Sequence, residues 1–121
     1  MPQTQVTMTV RTVSPEASIV DIGGEVTSGA ENVLMDAYTQ AIAAGAHTII
    51  LNFSAMEYMN SGGIGLLVTL LIRMKRQQQR LLTFGLSEHY RRIFEITRAD
   101  EASGIFETEA GALNAARASG E

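Results

Sequence analysis

The chain has 121 residues, a formal net charge of −4 and 45% apolar residues. That length suits one domain with its own core, and the absence of cysteine removes disulfides, thiolate metal sites and cysteine nucleophiles. The acidic balance speaks against a nucleic-acid surface, no basic segment leading into an apolar one opens the chain as a signal peptide would, and no apolar run approaches the ~20 residues of a membrane span. The expectation is a small cytoplasmic α/β domain over residues 1–121, with 118–121 a fraying tail.

Residues 6–13 alternate, with Val6, Met8 and Val10 free to share a face, and predict a half-buried edge strand. Ser14-Pro15-Glu16-Ala17 is a turn with proline at its second position. Residues 18–26 predict an antiparallel partner strand, and Gly23-Gly24 within it signals a bulge or a close backbone approach. Ser28 with Glu31 has the spacing of a capping box. Ala30, Val33, Leu34, Ala37, Ala41 and Ile42 then recur at helical spacing up to Gly45, a C-terminal stop.

The next stretch organises the rest. Residues 47–52 form an apolar run rich in β-branched residues, as in a strand buried on both faces. Residues 53–59 predict a loop. Asn60 and Ser61 are both good N-caps, and they open a helix that runs to about Gln79 with Ile64, Leu67, Val68, Leu71, Ile72 and Met74 as its apolar stripe. A serine hydroxyl is thereby placed at a helix N-terminus beyond the carboxyl end of a central strand, where open α/β sheets carry working residues. Arg73, Lys75 and Arg76 complement the helix dipole at the far end. Leu81 to Gly85 is a further strand. Ser87 caps a helix over 88–97 with Tyr90, Ile93, Phe94 and Ile96 inward. Ile105-Phe106 is a brief strand, and Thr108 opens a final helix. Strands alternating with helices imply a mixed sheet of four to five strands with about four helices, of α/β class.

The order of these elements, and Asn52-Phe53-Ser54 followed by Tyr58-Met59-Asn60-Ser61-Gly62-Gly63-Ile64-Gly65-Leu66-Leu67, resembles STAS domains: the anti-sigma factor antagonists and the related domains of sulfate transporters. The family pattern here is Asp-Leu-Ser, a few apolar residues, then Asp-Ser-Ser-Gly-Leu-Gly. Gly24-Glu25-Val26 also looks like the family's Gly-Glu-Leu-Asp. The resemblance implies a STAS-like α/β fold and a partner-switching antagonist without catalysis of its own. Its partner would be an anti-sigma factor that is also an ATP-dependent serine kinase, and a PP2C-type phosphatase would reset the switch. Carried onto this chain, the phosphoacceptor is Ser61. Met56, Glu57, Tyr58 and Met59 before it, with Asn60 and Gly62 at its sides, are the expected partner-binding surface.

The chain departs from the pattern at Asn52 and Asn60, where the family is acidic, and at Gly62, where it has a second serine. These departures motivate an alternative: a STAS scaffold or transport-accessory module that binds partners without phosphorylation. Ser61 also has a purely structural reading, as a helix cap, and Ser54 one as a polar turn. Gly62, Gly63 and Gly65 match neither a P-loop nor a dinucleotide fingerprint, and read as close packing of the helix start on the sheet. His47 and His89 lie apart from each other, so no metal or other cofactor is expected. No catalytic set stands out, and the oligomeric state is left open.

Overall fold

The computed structural model describes residues 5–97 and 104–118. In chain order these form β1 (Thr7–Ser14), β2 (Ala17–Val26), a 3-10 turn (Ser28–Ala30), α1 (Glu31–Ala43), β3 (Thr48–Met59), α2 (Ser61–Arg76), β4 (Arg80–Phe84), α3 (Glu88–Ile96), β5 (Gly104–Phe106) and α4 (Glu109–Ala118). The sheet order is β1-β2-β3-β4-β5. β1 and β2 are antiparallel and joined by the tight Pro15-Glu16 turn; all other neighbours are parallel. Parallel neighbours require a crossover, which α1 supplies between β2 and β3 and α2 between β3 and β4. The expected mixed α/β sheet is therefore the one observed.

The sheet is covered unequally. On one face Val20, Ile22, Ile49, Leu51 and Phe53 pack with Leu34 and Ala37 of α1, Leu67, Leu70, Leu71 and Met74 of α2, and Phe94 of α3. On the other face Ile19, Ile50, Leu82 and Phe84 pack with Ala112 of α4. The middle of the sheet is thus apolar on both sides, which is why the start of β3, Thr48-Ile49-Ile50-Leu51, reads as an unbroken apolar run.

Several sequence expectations shift. The strand expected over 47–52 runs on to Met59, so the expected loop is strand. α2 ends at Arg76, short of Gln79, and Gln78 then takes a left-handed φ of 60°. Ile72 is 50% exposed and Ile96 80% exposed. The inward stripe of α2 is Leu67, Leu70, Leu71 and Met74, and Ile72, one residue past Leu71, is rotated by about 100° from it. Ser28 does not cap α1: the Thr27 side chain accepts from the Gly29 amide and α1 has no side-chain cap. Gly45, with φ 99°, does follow the end of α1. Of the expected tail, Ala118 closes α4 and 119–121 lie outside the described residues.

Candidate functional site

The junction of β3 and α2 is built by two local devices. The first is irregular pairing at the end of β3. From Asn52 to Ala55 β3 advances three residues while its partner advances two, from Asp21 to Gly23; from Met56 to Tyr58 it advances two against one, Gly24 to Glu25. Two bulges bend the strand end and re-aim its side chains. They also break the period-2 pattern, which explains why this stretch reads as a loop. The bulge signal of Gly23-Gly24 is met in place, although the extra residues belong to β3.

The second device is the cap. Asn60 is extended, and its Oδ1 accepts the Gly63 amide at 2.9 Å. Its backbone amide donates to the Val26 carbonyl at 3.2 Å, which continues the β2–β3 ladder into the cap, and its carbonyl accepts the Ile64 amide at 3.0 Å. Gly63 lies so close to β2 that a Cβ would sit 2.2 Å from the Val26 oxygen. Gly62 rests on Ser28 of the 3-10 turn, where a Cβ added to the glycine would lie 3.0 Å from the serine Cβ. Gly65 faces open space, so packing explains two of the three glycines.

Ser61 is therefore the first helical residue and not the cap. It is exposed, and among the described residues its hydroxyl has no hydrogen-bond partner. The structural reading of Ser61 as a capping residue passes to Asn60. Around it, Glu57 is exposed and Tyr58 is 47% exposed; Met56, Asn60 and Gly62 are half-buried. Met59, 3% exposed, belongs to the core and drops out of the surface on which it was expected. Ser54 is an exposed strand residue, and the turn-like bond at its amide comes from Asn52.

Asn52 has a structural task. Its Oδ1 accepts the Ser54 amide at 2.9 Å and its Nδ2 donates to Asp21 Oδ1 at 2.8 Å. Asp21 also receives Arg11 through Nε at 2.5 Å and Nη2 at 2.8 Å, and Arg11 reaches Glu109 of α4 at 3.1 Å. A carboxylate at position 52 would face the Asp21 carboxylate with no proton to share; the amide supplies the donor that Asp21 needs. The Arg11 guanidinium holds the Asp21 carboxyl below its ordinary value of 3.8, assisted by the Asn52 amide and opposed by partial burial. The folded protein thus binds fewer protons here than the unfolded chain. The contribution is complete above 3.8 and is lost as pH falls through the lower folded value. Urea unfolding should therefore weaken below about pH 4, and Asp21→Asn should flatten that decline while costing about 0.5–1 kcal/mol at neutral pH, because the pair is bidentate but partly exposed. Identical pH slopes in both proteins would remove the assignment.

Two features of the site escaped the sequence reading. Tyr90 reaches the junction from α3, its hydroxyl accepting the Met59 amide at 2.9 Å. A helix residue 31 positions away leaves no local trace of such a contact. The other was legible: residues 12–72 contain no arginine or lysine, so the half of the chain that carries the junction is neutral to acidic. Within α2 the first cation is Arg73, twelve residues and about 18 Å along the helix from Ser61. Among the described residues no group of His, Asp and Glu could hold a metal ion.

A family model described as the STAS domain matches residues 8–112. The chain belongs to the STAS family. Among curated relatives, the anti-sigma-B factor antagonist of Staphylococcus epidermidis is 31% identical over 78 residues, covering 64% of this chain and 72% of that protein. The protein of the same name from Staphylococcus aureus (strain NCTC 8325 / PS 47) is 32% identical over the same shares. Among solved structures, the anti-sigma factor antagonist SpoIIAA in its unphosphorylated form matches with a TM-score of 0.72 at 23% identity, over 92% of this chain and 98% of that one. The phosphorylated form of the Bacillus SpoIIAA matches with a TM-score of 0.71 at 21% identity, over 91% and 99%. An anti-sigma factor antagonist from Mycobacterium paratuberculosis matches with a TM-score of 0.77 at 21% identity, over 93% and 95%. At these identities the structural likeness speaks for the fold. Against the STAS pattern, both asparagines have local reasons here: Asn52 serves Asp21, and Asn60 performs the cap with a neutral oxygen. Gly62 stands where a side chain would press on Ser28. No described helix is long and apolar enough to cross a membrane.

Proposed function

We propose that this STAS protein is an anti-sigma factor antagonist that binds an anti-sigma factor with serine-kinase activity, and that phosphorylation of Ser61 ends the binding. The observation that carries the reading is the division of labour at the junction: Asn60 makes the cap bond, and the Ser61 hydroxyl stands exposed with no structural partner among the described residues. A nucleophilic hydroxyl free of structural duty is what a kinase requires of its substrate. The relatives named as anti-sigma-B factor antagonists, and the likeness to both forms of SpoIIAA, point the same way.

The physics of the switch follows from the site. A phosphoryl group adds about −1.5 to −2 charges and three acceptor oxygens. At Ser61 it meets the first amides of α2 and the positive end of the helix dipole, so the fold accommodates it. A partner covering Tyr58, Glu57 and Met56 must strip water from that charge, and neither β3 nor α2 before Arg73 offers an arginine or lysine in return. The chain itself supplies no catalytic group in this scheme; the phosphoryl group comes from ATP on the kinase, and a PP2C-type phosphatase returns the hydroxyl.

The test starts by capturing the partner on immobilised protein and identifying the ATP-dependent kinase by mass spectrometry. Incubated with that kinase and ATP, the peptide carrying Ser61 should gain the mass of one phosphate, and Ser61→Ala should gain none. Capture of transporter or multiprotein-complex subunits with no mass gain would favour the second reading, a binding-only STAS module, which the neutral Asn52 and Asn60 motivate.

A further inference from the structure

Tyr90 has no part in the switch as described, yet it touches the switch. The reason is topological. β3 has β4 beside it only from Thr48 to Asn52. Past that point β4 stops at Phe84, and the chain turns off through Gly85, whose φ is 84° and where an added Cβ would run into Ser54. Among the described residues, the last residues of β3 thus have β2 on one edge and no strand on the other. Successive amides of a strand point to opposite edges. The Asn60 amide points to β2, where it meets Val26, so the Met59 amide points to the strandless edge. The acceptor that meets it there is the Tyr90 hydroxyl, at 2.9 Å.

We infer that Tyr90 is the positioning residue for Ser61: its hydroxyl stands in for the missing strand partner of β3 and holds the residue from which the cap and Ser61 continue. This rests on the reading of Ser61 as phosphoacceptor. Tyr90 is itself held at several points. Its amide is taken by the Ser87 side chain that caps α3, at 3.4 Å. The His89 ring packs edge-on against its ring, with centroids 4.9 Å apart. One turn further along α3, Phe94 meets Phe53 of β3 edge to face, with ring centroids 6.2 Å apart. Residues four apart share a helix face, so α3 grips the end of β3 twice, once by apolar packing and once by a directed hydrogen bond. The packing supplies adhesion; the hydrogen bond supplies the angle at which β3 hands over to α2. A partner that displaces α3 reaches Ser61 through that bond.

Tyr90→Phe keeps the ring and removes only the acceptor, so folding is retained. In the free protein, amide exchange followed by NMR should show the Met59 amide exchanging about tenfold faster, with the Gly63 amide following it, while Ile49 to Leu51 keep their rates. With the kinase recovered on the immobilised protein, kcat/KM for Ser61 should fall about three- to tenfold, corrected for the folded fraction. A role confined to stability would shift the thermal midpoint and leave that corrected rate unchanged. Wild-type exchange at Met59 in Tyr90→Phe, or faster exchange with an unchanged phosphorylation rate, overturns the inference. If wild-type protein takes no phosphate at all, the acceptor reading falls alone; the Met59 exchange rate, with the affinity of Tyr90→Phe for the captured partner, then decides whether Tyr90 holds the junction.

Discussion

Phosphoserine at position 61 should weaken binding of the anti-sigma partner by about a hundredfold or more, and Ser61→Asp should reproduce much of that loss. The magnitude follows from desolvation. Covering a phosphate without a counter-cation costs several kcal/mol, and each ~1.4 kcal/mol is tenfold in affinity. The junction's own elements offer little to offset it: Glu57 of β3 is exposed, and neither β3 nor α2 before Arg73 carries an arginine or lysine. The same geometry separates charge from fold. Because the Ser61 hydroxyl makes no hydrogen bond among the described residues, Ser61→Ala should keep wild-type affinity within about threefold and the thermal midpoint within a few degrees. Calorimetric titration of the partner into wild type, the phosphorylated protein and the two variants checks both statements. Equal affinities for wild type and Ser61→Asp would end the switch reading and leave a binding-only module.

Gly63→Ala should be strongly damaging for a single added methyl. Its Cβ would lie 2.2 Å from the Val26 oxygen and 2.8 Å from the Val26 carbon. Both are backbone atoms of a buried strand end, and neither can swing aside. Relief requires the start of α2 to move off β2, which strains the Asn60 cap bond to the Gly63 amide and the Asn60 amide bond to Val26. Overpacking of this kind costs about 1–3 kcal/mol, and loss of a cap adds about 1 kcal/mol, so a fall of about 3 kcal/mol and of roughly 10 °C in the thermal midpoint is expected. Gly65→Ala is the internal contrast. Beyond its chain neighbours and the backbone of its own helix, no atom of the described residues lies within 4 Å of its Cβ position, so the substitution should stabilise by up to about 1 kcal/mol through helix propensity alone. Urea unfolding of the pair measures the difference; similar effects at both positions would show that the approach of α2 to β2 is not as close as described.

Which parts of this molecule were legible depends on how local their causes are. The start of β3 announced itself because burial on both faces demands a continuous apolar run such as Thr48-Ile49-Ile50-Leu51. The start of α2 was equally legible, since Asn60 and Ser61 are N-cap residues ahead of a helical apolar stripe. What was misjudged is non-local. Residues 53–59 read as loop because two bulges erase the alternation, and only pairing with β2 makes them strand. Ile72 and Leu70 exchanged places because the orientation of a helix is set by the sheet it lies on.

By itself, then, the sequence determined the class of fold, the order of elements and the presence of a serine at a helix start, all of which follow from periodicity and capping chemistry within short windows. The tertiary structure decided that Asn60 takes the cap bond and Ser61 does not, that Met59 is core and Tyr58 surface, that Asn52 answers Asp21, and that Tyr90 completes the edge of β3. Each of those depends on which amide, carboxylate or ring arrives from a distant part of the chain, and that is settled by packing rather than by neighbours in sequence.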